Sequence, residues 1–139
     1  MILSKLKEDI KADEGLVLHE YKDNLGYSAI GYGRLIDERR GGGISQEEAD
    51  YLLTNDILRV IEQLATRTNL TSYPAAVQHA LINMAFQLGV NGLLGFEKMW
   101  AHLDNHDYEA AADEALDSRW ATQTPARAKR VTDMMRSEA

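Results

Sequence analysis

The apolar positions change period along the chain. Leu3, Leu6 and Ile10 recur at helical spacing with Lys, Glu and Asp between them, which predicts a short amphipathic helix over 3–13. It stops at Glu14-Gly15, where Gly15 suits the left-handed position just past a helix end. Over 16–37 the pattern shortens. Leu16, Leu18, Tyr21, Tyr27, Ile30, Tyr32 and Leu35 lie among Gly26, Gly31 and Gly33, and Asp23-Asn24-Leu25-Gly26 is a turn signal between two β-rich runs. A small antiparallel sheet of two or three strands is predicted there.

After a loop at Arg39-Arg40-Gly41-Gly42-Gly43, Ser45-Gln46-Glu47-Glu48 forms a capping box. It opens a helix running to about residue 66, with Leu53, Ile57, Val60, Ile61 and Leu64 on its apolar face. That length suits a strut between the sheet and the C-terminal half of the chain. From Ser72 onward the pattern is helical. Pro74 fits the first position of a helix that buries Val77, Ala80, Leu81, Met84, Ala85 and Leu88 and ends at Gly89. Shorter helices are predicted near 96–104 and 107–117. Thr124-Pro125 supplies a cap and a first-turn proline to a last helix over 125–137.

The expected fold is α+β in a single domain. A small antiparallel sheet lobe (about 14–44) is joined by a long helix (about 45–66) to a larger helical lobe (about 67–139, with helix 3–13). A cleft between the lobes is the expected binding site.

Composition narrows the chemistry. The 139 residues contain no cysteine, which excludes a disulfide scaffold, a thiol nucleophile and a Cys-ligated metal. The net charge of −7 argues against nucleic acid as a partner. No apolar run approaches the roughly 18–20 residues that span a bilayer. The segment Met1 to Asp9 lacks the apolar core of a secretory signal, so none is expected.

Among the chemical candidates, Glu14 lies at a helix C-terminus, where the macrodipole disfavours negative charge, as suits a proton donor. Leu16 and an overlying sheet are expected to shield it partly from water. Asp23 lies in the turn after Tyr21-Lys22. Singly, a solvated end-of-helix glutamate and an aspartate bonding its own turn are the ordinary readings. Together, two carboxylates facing one cleft are the minimum apparatus for glycoside hydrolysis. Asn83, Phe86 and Gln87 share one helix face, a polar–aromatic–polar set that suits a sugar and equally a core border. Gly31-Tyr32-Gly33 lacks the third glycine of a phosphate loop. His102 and His106 are four apart without the intervening glutamate of a zinc protease. No serine lies in a Gly-x-Ser-x-Gly elbow.

Three groups of motifs then coincide: Asp13-Glu14-Gly15-Leu16 with Tyr21-Lys22-Asp23, Gly26-Tyr27 and Ile30-Gly31-Tyr32-Gly33; Asn83 to Gly89 with Gly95-Phe96; and Ser118-Arg119-Trp120 with Gln123-Thr124-Pro125 and Arg127-Ala128-Lys129-Arg130. In order and spacing, over nearly the whole chain, these resemble the T-even-type phage lysozymes of glycoside hydrolase family 24. The resemblance implies a lysozyme-like fold and an inverting muramidase acting on the β-1,4 bond between N-acetylmuramic acid and N-acetylglucosamine in peptidoglycan. It implies that Glu14 is the general acid and that Asp23 activates water, with the carboxyls about 6.5–9.5 Å apart. Arg127 matches the arginine that pairs with the catalytic glutamate. Leu35 and Phe86 match substrate-contacting positions, and Tyr32, Asn83 and Gln87 complete that set. Arg34 and Asp56 match a bracing pair, so an Arg34–Asp56 ion pair is expected.

The chain departs from the family in three places. Ala29 stands where a threonine usually helps hold the water, and strand alternation puts Ser28 on the other face. Met99 and Glu114 replace a serine and an asparagine in the cleft. The chain is acidic where the T-even enzyme is basic, although Arg34, Arg39, Arg40, Arg119 and Arg127 offer a local basic patch. The resemblance implies host lysis by a monomer without cofactor or metal. The enzyme would be held in the host cytoplasm, released by a holin without itself entering the membrane, and active in the periplasm. The alternative is a weakened or inactive domain that binds peptidoglycan or acts as a scaffold.

Overall fold

The structure, a computed structural model, describes residues 3–32, 34–36 and 43–138. The expected Arg39–Gly43 loop, Gly33 and the expected surface arginines Arg39 and Arg40 fall wholly or largely outside them. The chain forms two compact units, residues 1–51 and 52–139.

In the first unit, helix α1 (Leu3–Glu14) is followed by strands β1 (Val17–Lys22), β2 (Ser28–Gly31) and β3 (Arg34–Leu35) in one antiparallel sheet of order β1-β2-β3. Gly15 ends α1 at φ +72° and donates its N–H to the Lys11 carbonyl at 3.0 Å, the role its position in the sequence predicts. Leu3, Leu6 and Ile10 are all exposed. β1 and β2 keep tight register near the turn, with Lys22 opposite Ser28 and Tyr21 opposite Ala29. Further out Val17 stands opposite Gly31, so Leu18, His19 and Glu20 bulge against Ile30.

Helix α2 (Gln46–Arg67) opens on the predicted capping box. The Glu48 N–H donates to Ser45 Oγ at 3.1 Å, and the Ser45 N–H donates to Glu48 Oε1 at 2.9 Å. The boundary between the two units falls inside this helix, between Tyr51 and Leu52.

The second unit holds the rest of α2 and a short 3-10 turn (Leu70–Ser72). It continues through α3 (Ala75–Leu88), α4 (Val90–Leu94), α5 (Glu97–Asp104), α6 (Tyr108–Leu116), α7 (Arg119–Gln123) and α8 (Pro125–Arg136). Its core gathers Leu64, Val77, Leu81, Met84, Leu103 and Met135, each fully buried or nearly so. α3 buries the predicted face except for Leu88, which packs at the core's edge, and Gly89 ends it at φ +78°.

Two local expectations change. Pro74 is extended (ψ 155°) and lies one residue outside α3, as its cap rather than its first residue. Thr124 precedes Pro125 as expected, but its hydroxyl donates to the Trp120 carbonyl at 3.0 Å instead of capping α8. The end of α7 leaves that carbonyl four residues behind Thr124, and it accepts both the Thr124 N–H, at 2.9 Å, and the hydroxyl. Among the described residues no helix is long and apolar enough to cross a membrane.

Candidate active site

The sheet sorts its side chains by pleat. Tyr21 is opposite Ala29 and Ala29 is opposite Leu35, so these three share one face. Asp23 extends that face by one step beyond β1. Its N–H donates to the Tyr27 carbonyl at 2.8 Å, continuing the pairing. Lys22, Ser28 and Arg34 occupy the other face. The sheet thus brings together three residues singled out from sequence, Asp23, Ala29 and Leu35, and adds Tyr21, which sequence reasoning does not select. The missing signal is the cross-strand register, since Tyr21 gains meaning only as the partner of Ala29.

Asp23 has two distinct oxygens. Oδ1 accepts the N–H groups of Leu25 and Tyr27, both at 2.9 Å, and closes the turn. Oδ2 has no hydrogen-bond partner among the described residues. The turn-forming reading of Asp23 is therefore correct for one oxygen and leaves the second available.

Glu14 is the last residue of α1 and is exposed. Leu16 beside it is also exposed, so the shielding expected of Glu14 is absent. Its carboxylate makes no hydrogen bond or ion pair among the described residues.

On the far face the Ser28 hydroxyl, which is buried, donates to Glu20 Oε1 at 3.0 Å and accepts from Lys22 Nζ at 2.5 Å; Lys22 and Glu20 are 3.2 Å apart. The Ser28 hydrogen bond, then Lys22, holds the Glu20 carboxyl below the usual glutamate range.

Arg34 and Asp56, the residues of the expected pair, fall in different units, and each has a partner within its own unit. Arg34 is ion-paired to Glu48, already held in place by the Ser45 cap. Asp56 faces Arg59, one turn along α2, at 3.4 Å. The Ser45 backbone N–H, the Ser45 hydroxyl and Arg34 together hold the Glu48 carboxyl low.

The second unit carries the remaining candidates in two depressions. Asn83, Phe86 and Arg127 line a groove of about 590 Å³ with Leu53, Ile57 and Ile82. Phe86 is exposed there. Arg127 Nε donates to Asn83 Oδ1 at 2.9 Å and a terminal nitrogen donates to the Asn83 carbonyl at 3.3 Å, so α8 fixes the amide. Met99 and Glu114 line a separate pocket of about 530 Å³ with Phe96, Trp120 and Arg119. Met99 is buried and contributes a floor rather than a contact arm. Glu114 lies 4.0 Å from His102 Nε2. Gln87 accepts from the Trp120 indole N–H at 2.9 Å, so it positions an aromatic wall of that pocket. Phe96 meets Trp120 edge-on with centroids 6.2 Å apart. These two aromatics stand in the sequence motifs, but nothing in their spacing marks them as site residues. Tyr32 is exposed on the first unit, with the Lys11 ammonium 5.5 Å from its ring centroid. Among the described residues no cluster of His, Cys, Asp or Glu could hold a metal ion.

Comparison with known proteins gives this geometry a context. The family model described as phage lysozyme matches residues 11–136. A probable T4-type lysozyme of Dictyostelium discoideum is 28% identical, with 96% of this chain and 95% of that protein aligned. The pre-baseplate central spike protein Gp5 of Enterobacteria phage T4 is 33% identical over 91% of this chain, which spans only 27% of that protein. A peptidoglycan hydrolase, gp36 of Pseudomonas phage phiKMV, is 30% identical over 78% of this chain and 12% of its own length. The family model covers the end of α1, the sheet and nearly all of the helical unit, and on that extent the chain belongs to the phage lysozyme family.

Proposed function

We propose that this protein is a muramidase that cleaves the β-1,4 bond between N-acetylmuramic acid and N-acetylglucosamine in peptidoglycan with inversion. The observation that carries the reading is Asp23. Its Oδ1 is anchored by two backbone N–H groups while Oδ2 has no hydrogen-bond partner among the described residues. Glu14 donates its proton to the glycosidic oxygen as the C–O bond breaks. Asp23 Oδ2 takes a proton from the water that attacks the anomeric carbon from the opposite side. The products are a hemiacetal of inverted configuration and a free 4-hydroxyl. In the groove of the second unit Arg127 holds the Asn83 amide beside the Phe86 ring, and the two offer a hydrogen-bonding group and an apolar platform for sugar. Protonation and a positioned water suffice, so no cofactor is assigned. In this reading a monomer accumulates in the host cytoplasm, reaches the wall through a holin and lyses the cell.

The test is loss of turbidity of outer-membrane-permeabilised Gram-negative cells, with Glu14→Gln as control, together with NMR of the first-formed anomer. Clearing by the wild type alone and an α product support the reading; a β product refutes inversion. A second reading, a peptidoglycan-binding domain without turnover, is favoured by Ala29 and by the commitment of the Ser28 hydroxyl to the opposite face. It predicts sedimentation with purified sacculi and no clearing.

A further inference from the structure

Glu114 is the half-buried carboxylate of the pocket formed by α5, α6 and α7, with its side chain 32% exposed. Among the described residues that side chain makes no hydrogen bond. His102 Nε2, at 4.0 Å, is beyond hydrogen-bond reach. Elsewhere in the second unit opposite charges meet, Lys129 with Asp133 at 2.8 Å and Arg136 with Asp113 at 2.6 Å. Around this pocket they do not. Glu97, Lys98, Asp117 and Arg119 line it, are exposed, and have no ion-pair partner among the described residues. The exposed four are solvated and gain little from pairing, whereas Glu114 is partly withdrawn from water beside a buried Met99 and still lacks a donor. An ammonium would complete it. The Phe96 and Trp120 rings in the same pocket suit the apolar stem and the charge of such a group.

The sugars of peptidoglycan carry no cation. Its peptide branches carry carboxylates and, where a branch is not cross-linked, the free amine of a diamino acid. Cross-linking turns that amine into a neutral amide, which has no charge to offer a carboxylate. We propose that Glu114 is a specificity-determining residue that takes this free amine, so that the enzyme favours strands whose branches are not cross-linked. The inference rests on the muramidase reading and deepens it. Lys98 and Arg119 at the rim suit the carboxylates of the same branch. The pocket, about 530 Å³, has the size that holds a short peptide segment.

The experiment compares soluble glycan strands bearing un-cross-linked tripeptide branches with the same strands after acetylation of the amine. Wild type and the isosteric Glu114→Gln are assayed by release of reducing ends. Acetylation is expected to lower wild-type kcat/KM about tenfold, chiefly through KM. Glu114→Gln is expected to lose a similar factor on the amine strands and to treat both substrates alike. Equal wild-type rates on the two substrates overturn the inference and leave the muramidase reading standing, as does a Glu114→Gln enzyme that still discriminates. A binding arm titrates the free tripeptide alanyl-γ-glutamyl-diaminopimelate and its N-acetylated form against wild type, read from the Trp120 indole N–H signal by NMR. The free amine is expected to bind about tenfold tighter. Should neither strand be cleaved, the muramidase reading falls and this arm decides alone: tighter binding of the amine upholds the role of Glu114, and equal or absent binding overturns it.

Discussion

Ser28 donates its hydroxyl to the Glu20 carboxylate at 3.0 Å on the face of the sheet opposite Ala29. The hydroxyl adjacent in sequence to the expected water position is therefore structural. Ser28→Ala is expected to leave turnover within about twofold, and to let the Glu20 carboxyl rise toward its ordinary range because its largest lowering contact is gone. NMR titration of Glu20 alongside the lytic assay reads both. Ala29→Thr is expected to raise turnover with little change in fold; a fall would show that the water is placed differently.

Asp23 Oδ1 serves the fold, and the chemical role proposed for Oδ2 can be tested apart from it. Asp23→Asn keeps an oxygen for the Leu25 and Tyr27 N–H groups, so its Tm stays within a few degrees while turnover collapses. Asp23→Ala loses both, with about 1–3 kcal/mol of stability for the two unsatisfied donors. Equal Tm losses in the two variants would contradict this division.

The α2 cap is sensitive to acid. The folded-state carboxyl of Glu48 titrates below its ordinary 4.5, so its contribution is fully present above that value and fades as pH falls through the lower folded one. Glu48→Gln should flatten the acid limb of the stability curve below pH 4.5. Ser45→Ala, which removes the reciprocal acceptor, should cost about 1 kcal/mol at neutral pH. Denaturant melts from acid to neutral pH measure both.

Tyr73 sets the alkaline limit. Burial, then its hydrogen bond to Asp104 at 3.1 Å, pushes its phenol up to about 12. The neutral form is favoured in the fold, so the contribution is complete below the ordinary value of 10 and is lost as pH climbs from there through about 12. Tyr73→Phe should remove this slope between pH 10 and 12 in unfolding experiments. An unchanged slope would assign it to other groups.

Much of the architecture is legible in the sequence because local rules agree with one another. The 3.6-residue spacing of Val77, Ala80, Leu81 and Met84, the Ser45–Glu48 box and the positive-φ glycines at 15 and 89 each mark an element or its end, and each is found in place. Arg34 and Asp56 are less legible. Within its own unit each takes a charged partner, Glu48 for Arg34 and Arg59 for Asp56, that a pattern of residue types does not reveal. Tyr21 is invisible for a different reason: its place beside Ala29 depends on register beyond a bulge, and periodicity cannot locate that bulge. Thr124 carries the residue type of a cap, but a competing carbonyl decides its bond.

The bulge at Leu18, His19 and Glu20 sets three residues against one, an excess of two. Two is one full period of the pleat, so Val17 and Tyr21 emerge on the same side despite the interruption. The bulge therefore buffers length in this segment. Removing one residue would leave two against one, the ordinary bulge, with Val17 still opposite Gly31, and removing two would restore regular pairing. Natural or engineered variation of one or two residues here should leave the Tyr21–Ala29 register intact.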